Sequence, residues 1–294
     1  MGPAQPAPQS SGLSVANYAR RKRADSVMTA VMLVATFVAV APLTMILVFV
    51  AIQGIPAINL DLFIDTPRPA GLPGGGVLNS IAGSAIMVGG ALLVGGPIAI
   101  GCGIFLAEFG QNRLGNVLRF LIDVLAGIPS ITIGLFIYGL VVVPMRSFSA
   151  IAGALALSII LMPVVARITE EMLLLVPRSL REGAFALGAP RWRVALSVIF
   201  PAALPGIATG LMLGLSRVAG EAAPLLFTAL GNQFFSTELT GAMDALPLRI
   251  YFYATGPYED WHAKAWAMSL LLVGSILVVS IIVRRITGAR PNRM

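Results

Sequence analysis

Six apolar runs, each long enough to cross a bilayer, divide this chain and leave it few folds. They fall at roughly 27–50, 79–107, 121–143, 150–166, 204–230 and 265–283. A membrane-crossing helix needs about 20 apolar residues. Inside lipid every backbone N–H must find an acceptor without help from water, and an isolated apolar run meets that condition as a helix. The chain is 57% hydrophobic and 11% charged, against about 25% charged in soluble domains. The expectation is an all-α polytopic membrane protein with about six transmembrane helices.

Residues 1–25 are expected to form a disordered tail, the first 17 of them rich in Pro, Gln, Ser, Gly and Ala. Ala39, Val40 and Ala41 resemble a signal-peptide cleavage site, but the run continues past Pro42 to spanning length, so it reads as an uncleaved span. Residues 26–285 form the transmembrane part, with a long loop at 167–203, and 286–294 form a second tail. The stretch LPGGGVLNS at 72–80 lacks the phosphate-loop pattern and any nearby lysine, so it reads as a flexible return into the membrane. One cysteine, Cys102, excludes an internal disulfide, and one histidine, His262, excludes a multi-histidine metal site.

The net charge of +7 is divided by side. Fifteen basic residues fall in the two tails, the loop with Arg113 and Arg119, and the long loop. Four fall on the opposite side: Arg68, Arg146, Arg249 and Lys264. Such a bias orients a membrane protein with both termini and the long loop in the cytoplasm, and it speaks against nucleic acid as a partner. Asp61, Asp65, Glu238, Asp244, Glu259 and Asp260 then fall outside.

The long loop carries Arg167, Arg178, Arg181, Arg191 and Arg193. Pro177 and Pro190 bracket an expected helix at 179–187 that stops near Gly188. A second short helix is expected past Pro190, with Trp192, Ala195, Leu196 and Ile199 on one face. Two amphipathic helices hung between spans suit a headgroup layer or a groove on another protein.

Only one basic residue falls within a run: Arg217, in the middle of the fifth. An arginine there costs about 2.5–3.5 kcal/mol on insertion scales. Glu221 follows four residues later, about 40° away on one helix face and within pairing reach. The pair reads either as an internal neutralising bridge or as a site. Asp123, near the cytoplasmic end of the third run, receives no role. Gly206, Gly210 and Gly214 line one face for helix packing, and Gly89, Gly90, Gly95, Gly96 and Pro97 are expected to loosen the second span.

The loop matches a longer pattern: Glu-Ala-Ala, three residues, Gly, nine residues, then Ile-x-Leu-Pro. Here the positions are Glu182, Gly183, Ala184, Gly188, Val198, Phe200 and Pro201. It resembles the coupling loop of ABC importer permeases. The stretches GPIAIGCGIFLAEFG (96–110), DVLAGIPSITIGLF (123–136), RVAGEAAPLLFTALGN (217–232) and ALPLRIYFYATGP (245–257) narrow the resemblance. Over roughly 72–285 the chain is similar to the phosphate-specific importer permeases of the PstA family. The Arg-x-x-Gly-Glu motif is shared with the sister PstC family, whereas 222–226 and 245–248 favour PstA; Ala222 stands where the family usually has threonine.

The resemblance implies a type I ABC importer permease fold with a cytoplasmic coupling helix, in the cell membrane of a prokaryote. It implies a PstC-like sister permease, a homodimeric PstB-like ATPase and an extracytoplasmic phosphate-binding protein as partners. ATP and magnesium would sit on the ATPase, leaving this chain without cofactor or catalytic site. Arg217 and Glu221 would line the substrate path; Arg181, Glu182, Gly183, Ala184, Gly188, Ala189 and Pro190 would engage the ATPase. The rival readings are a permease for another oxyanion such as sulfate, a non-transporting signalling or scaffold protein, and an intramembrane hydrolase. The hydrolase lacks a His-Glu-x-x-His motif, and His262 lies outside the runs.

Overall fold

The computed structural model describes residues 15–69 and 74–288. Among these residues helices dominate, and the β structure is one isolated bridge between Leu230 and Met243. The chain divides into two compact units, Met1–Ala51 and Ile52–Met294.

The first unit is mostly α1 (Val15–Gly54), which exposes apolar side chains from Val27 onward as a lipid-facing helix does. The helix takes in Arg20, Arg21, Lys22 and Arg23, so the expected tail is corrected from Val15 onward. Charged residues with good helix propensity carry the helix out of the apolar zone rather than ending it. Residues 1–14 lie outside the described ones.

The second unit begins with α2 (Leu60–Ile64), capped by the Asn59 side chain, which accepts the Leu62 N–H at 2.8 Å. The glycine stretch after it is held rather than loose. The N–H groups of Gly76, Val77 and Leu78 donate to Thr66, Leu62 and Asp65. Leu72 and Pro73 of that stretch are outside the described residues. There follow α3 (Leu78–Phe109), α4 (Arg113–Gly127), α5 (Ser130–Ile137), α6 (Val143–Met145) and α7 (Ala150–Leu174). The loop holds α8 (Arg178–Ala186) and α9 (Arg191–Val194). Then come α10 (Phe200–Ala219), α11 (Ala223–Thr228), α12 (Leu246–Thr255) and α13 (Glu259–Gly288). Helix α13 runs on into the expected second tail as far as Gly288, and the residues past it lie outside the described ones.

Two expected elements differ. The third run breaks into two limbs, Arg113–Gly127 and Ser130–Met145, bent by 101°. Pro129 holds Ile128 extended (φ −72°, ψ 130°), which a continuing helix forbids. The second loop helix is no separate element: Arg191–Ala219 runs as one membrane-length helix through a wide π-turn at Ala195–Ile199. Pro201 can donate no N–H to the turn before it, and the wide turn absorbs that loss. The extra residue splits the expected face, so Ala195 and Ile199 are buried while Trp192 and Leu196 are exposed.

The core is the α3–α7 pair, where Met87, Ala91, Leu157, Leu161 and Val165 interlock. Most glycines of α3 serve close approach rather than looseness, though Gly89 and Gly101 face open space. Gly95 lies against Ser158 and Gly103 against Thr169, both on α7, and α3 runs unbroken through Pro97. Gly206, Gly210 and Gly214 of α10 lie against Met172, Ile168 and Val165, so that stripe packs on α7 of the same chain.

Side chains at both ends show that α3 and α7 run parallel. At one end Arg181 binds Glu108 of α3 and the Leu173 carbonyl of α7. At the other, Ser80 of α3 donates to Asp244, and the Ala150 N–H at the start of α7 donates to Gly241. Parallel helices require the chain between Phe109 and Ala150 to return, so the bent pair carries one crossing. With the five helices of membrane length among the described residues this makes six.

Candidate functional site

Pro224 shapes the first candidate site. In a continuous helix its ring would clash with the Gly220 carbonyl four residues back. The fifth span therefore stops at Ala219, and α11 starts afresh with Pro224 in its first turn. Arg217 sits in the last turn of α10, where a cation complements the exposed carbonyl ends. It is exposed, and Glu221 beyond the break is half-buried. The expected mid-span position and same-face pairing are thus corrected. Glu221 is no longer on the helix of Arg217, and neither joins any of the five ion pairs among the described residues.

The two interrupted crossings meet here. Gly134 of α5 lies so close to α11 that an added Cβ would stand 2.6 Å from the Pro224 Cα. The absence of that carbon sets how near the bent limb comes to the segment carrying Glu221. Non-helical backbone at membrane depth is tolerated where it lines protein or water rather than lipid. On α5, Ile131, Leu135 and Phe136 are exposed, and on α10 so is Leu213. Asp123 on α4 is exposed as well and joins no ion pair among the described residues.

The second candidate is the loop. Helix α8 divides the expected coupling residues into two sets. Glu182, Gly183, Gly188 and Pro190 are exposed, with Phe185 and Leu187 beside them. Arg181, Ala184 and Ala189 are half-buried and fasten the helix to the body. Ala184 and Ala189 join a cluster with Leu173, Val176 and Val194, and the Ala189 N–H returns to the Ala184 carbonyl. Gly188 has φ +79°, the left-handed turn that ends helices and that other residues enter at a cost. No atom lies within 4 Å of where its Cβ would be, so the constraint is backbone conformation rather than space. Gly183 has equally open surroundings and an ordinary φ, so the alanine usual in the pattern would fit there.

Sequence reading missed a buried polar cluster at the end opposite the loop. Asp244 and Arg249 are 1% and 6% exposed and lie 2.7 Å apart. Ser80 donates to Asp244 at 2.5 Å, and Asn79 donates to both Asp244 and the Asn232 carbonyl. Burial pushes the Asp244 carboxyl above its usual range, opposed by the Arg249 charge and the Ser80 hydroxyl. An acid and an arginine five residues apart in the otherwise apolar DALPLRIYFY was the available signal. A cavity of about 320 Å³ beside Arg249 is lined also by Asn232, Tyr253 and Trp261; Arg217 and Glu221 lie outside it.

Residues 99–289 match the family of binding-protein-dependent transport system inner membrane components. The chain belongs to this family. It is similar to the phosphate transport system permease protein PstA of Pasteurella multocida, 44% identical over 92% of this chain and 97% of that one. It is 34% identical to phosphate transport system permease protein PstA 1 of Mycobacterium tuberculosis H37Rv, over 94% and 92% of the two chains. Among solved structures, a chain of a bacterial alginate ABC transporter, in complex with a pentasaccharide-bound periplasmic protein, superposes with a TM-score of 0.60. It is 14% identical, over 93% of this chain and 96% of that one. A chain of the inward-facing MetNI methionine ABC transporter gives 0.56 at 21% identity, over 72% and 93%. The fold of this inner membrane component is therefore that of a type I ABC importer permease, as the loop pattern implied.

Proposed function

We propose that the chain is a membrane-spanning subunit of an ATP-driven phosphate importer, with Arg217 and Glu221 on the substrate path. The observation that carries the reading is Arg217: an exposed cation in a membrane-length helix, at a helix break, with no ion-pair partner among the described residues. Lipid is a costly surroundings for such a group, so a second permease subunit of the PstC kind completes a polar path there. A guanidinium offers a fork of donors that fits a tetrahedral oxyanion. Glu221 joins no ion pair among the described residues, which leaves its carboxylate available to accept the O–H of hydrogen phosphate. Sulfate has no proton to offer and meets repulsion instead. The phosphate transport names of the relatives support the same substrate.

The exposed side of α8, with Glu182, Phe185 and Leu187, suits the groove of a PstB-like ATPase dimer, which would hold ATP and magnesium and perform the hydrolysis. An extracytoplasmic phosphate-binding protein would deliver substrate at the opposite end. The charge bias supports a cytoplasmic position for both termini and the α8 loop.

The test is the full complex in proteoliposomes, with ATP on the loop side and radiolabelled phosphate plus binding protein on the other. Phosphate is expected to accumulate and unlabelled sulfate not to compete. An intact complex that moves no phosphate would favour the scaffold reading, and competition by sulfate a general oxyanion permease. In the same assay Gly188→Val is expected to cut uptake about tenfold or more while the protein stays in the membrane, because a β-branched residue resists positive φ. Uptake at the unmodified rate would remove Gly188 from the coupling mechanism.

A further inference from the structure

We propose that Glu108, next to last in α3, is the positioning residue through which α8 moves the transmembrane core. The proposal rests on the reading above, in which an ATPase grips the exposed side of α8.

The inner side of α8 is fastened in two ways. Leu180 and Ala184 make apolar contacts with Leu173, Val176 and Val194. Such contacts hold a distance but fix no direction. The directional link is one guanidinium. Arg181 donates through Nη1 to Glu108 Oε1 at 2.5 Å and through Nη2 to the Leu173 carbonyl at 2.7 Å. Both partners of the ion pair are largely buried, at 19% and 11% side-chain exposure, which strengthens the bond relative to a surface bridge. Charge-assisted bonds of this length resist displacement in any direction, so α8 cannot shift without pulling the ends of α3 and α7.

What is pulled behaves as one piece. The α3–α7 pair is the packed core, closed by glycine contacts along its length. Arg119 of α4 clasps the same end a second time: it binds the Leu106 and Gly110 carbonyls and pairs with Glu170 of α7 at 2.7 Å. At the far end of α3, Asn79 and Ser80 grip Asp244 and the Asn232 carbonyl. Helix α3 is therefore a rod with polar joints at both ends. Glu108 is the joint on the loop side, and the loop pattern does not include it.

The experiment uses the reconstituted complex and reads phosphate imported per ATP hydrolysed, alongside the amount of ATPase subunit that co-purifies. Glu108→Gln and Arg181→Gln are each expected to lower the ratio about tenfold, within the range of coupling free energies between sites. ATPase co-purification should be unchanged for Glu108→Gln, because Glu108 lies inside the fastening. The double variant should be no worse than either single one, as two ends of one link behave. Should Glu108→Gln fail to accumulate in the membrane, Glu108→Asp keeps the charge with a shorter reach and is expected to give an intermediate ratio. An unmodified ratio in Glu108→Gln or Glu108→Asp, multiplying effects in the double variant, or loss of the ATPase from Glu108→Gln would each overturn the proposal. An unmodified complex that hydrolyses ATP but imports no phosphate would instead overturn the functional reading on which it stands.

Discussion

Arg217→Met is expected to abolish phosphate uptake while leaving the complex assembled. The side chain is exposed at the end of α10 and makes no hydrogen bond or ion pair among the described residues, so its loss breaks no such internal bond. Methionine is a good helix former and suits an apolar span, which keeps the folding cost small. The cost falls on the anion. Losing a charge-assisted contact is worth about 1.5–3 kcal/mol, or roughly ten- to hundredfold in binding, before any effect on the transport step. Arg217→Lys retains the charge but not the planar fork, and should recover part of the rate. The decisive variant is Arg217→Met with Glu221→Gln. An internal bridge whose only duty is neutralisation tolerates removal of both charges. Since the two residues are parted by the helix break, the double variant should be as inactive as the single one. Uptake of radiolabelled phosphate in cells lacking other phosphate importers, with membrane levels checked by blot, measures this. Near-normal uptake by the double variant would leave Arg217 a structural charge outside the path.

Which parts of this structure were legible in sequence follows from the range of the forces that make them. Four of the apolar runs and the Gly188 turn are local features, and they appear where the residues place them. The break at Pro224 lies within an apolar run that continues on both sides, so hydrophobicity hid it; the proline itself was the signal. The same holds for Pro129, where a run of spanning length bends by 101°. The pairing of Arg217 with Glu221 was inferred from helical spacing and fell with the continuity of the helix. The cluster of Asn79, Ser80, Asp244 and Arg249 joins residues more than 160 positions apart, and no periodicity reports such a contact. Arg181 was assigned to the docking surface with its neighbours. Spacing could not reveal that α8 turns it inward onto Glu108.

Arg249→Met is expected to destabilise the protein by about 3–5 kcal/mol at neutral pH, the usual cost of leaving one member of a buried ion pair unpaired. Arg249 is the cation that meets Asp244, through Nε at 2.8 Å, and it also lies over the Tyr253 ring at 5.6 Å. Two causes of destabilisation are therefore available, a stranded charge and a lost stacking contact, and pH separates them. Burial already raises the Asp244 carboxyl above its ordinary value of 3.8, and the Arg249 charge is the largest influence holding it down. Without Arg249 the carboxyl rises further. An acid whose folded pKa exceeds its unfolded one binds its proton more tightly in the folded state. Its stabilising contribution is complete below the unfolded value and is lost as pH climbs through the folded one. The deficit of Arg249→Met should therefore be small near the ordinary carboxyl value of 3.8 and grow as pH rises above it. Adding Asp244→Asn removes the titrating group and should flatten that dependence, while Ser80 can still bond the amide oxygen. Thermal unfolding of the purified complex across this pH range is the measurement. A deficit of equal size at every pH would assign the loss to packing against Tyr253 and not to the charge of Asp244.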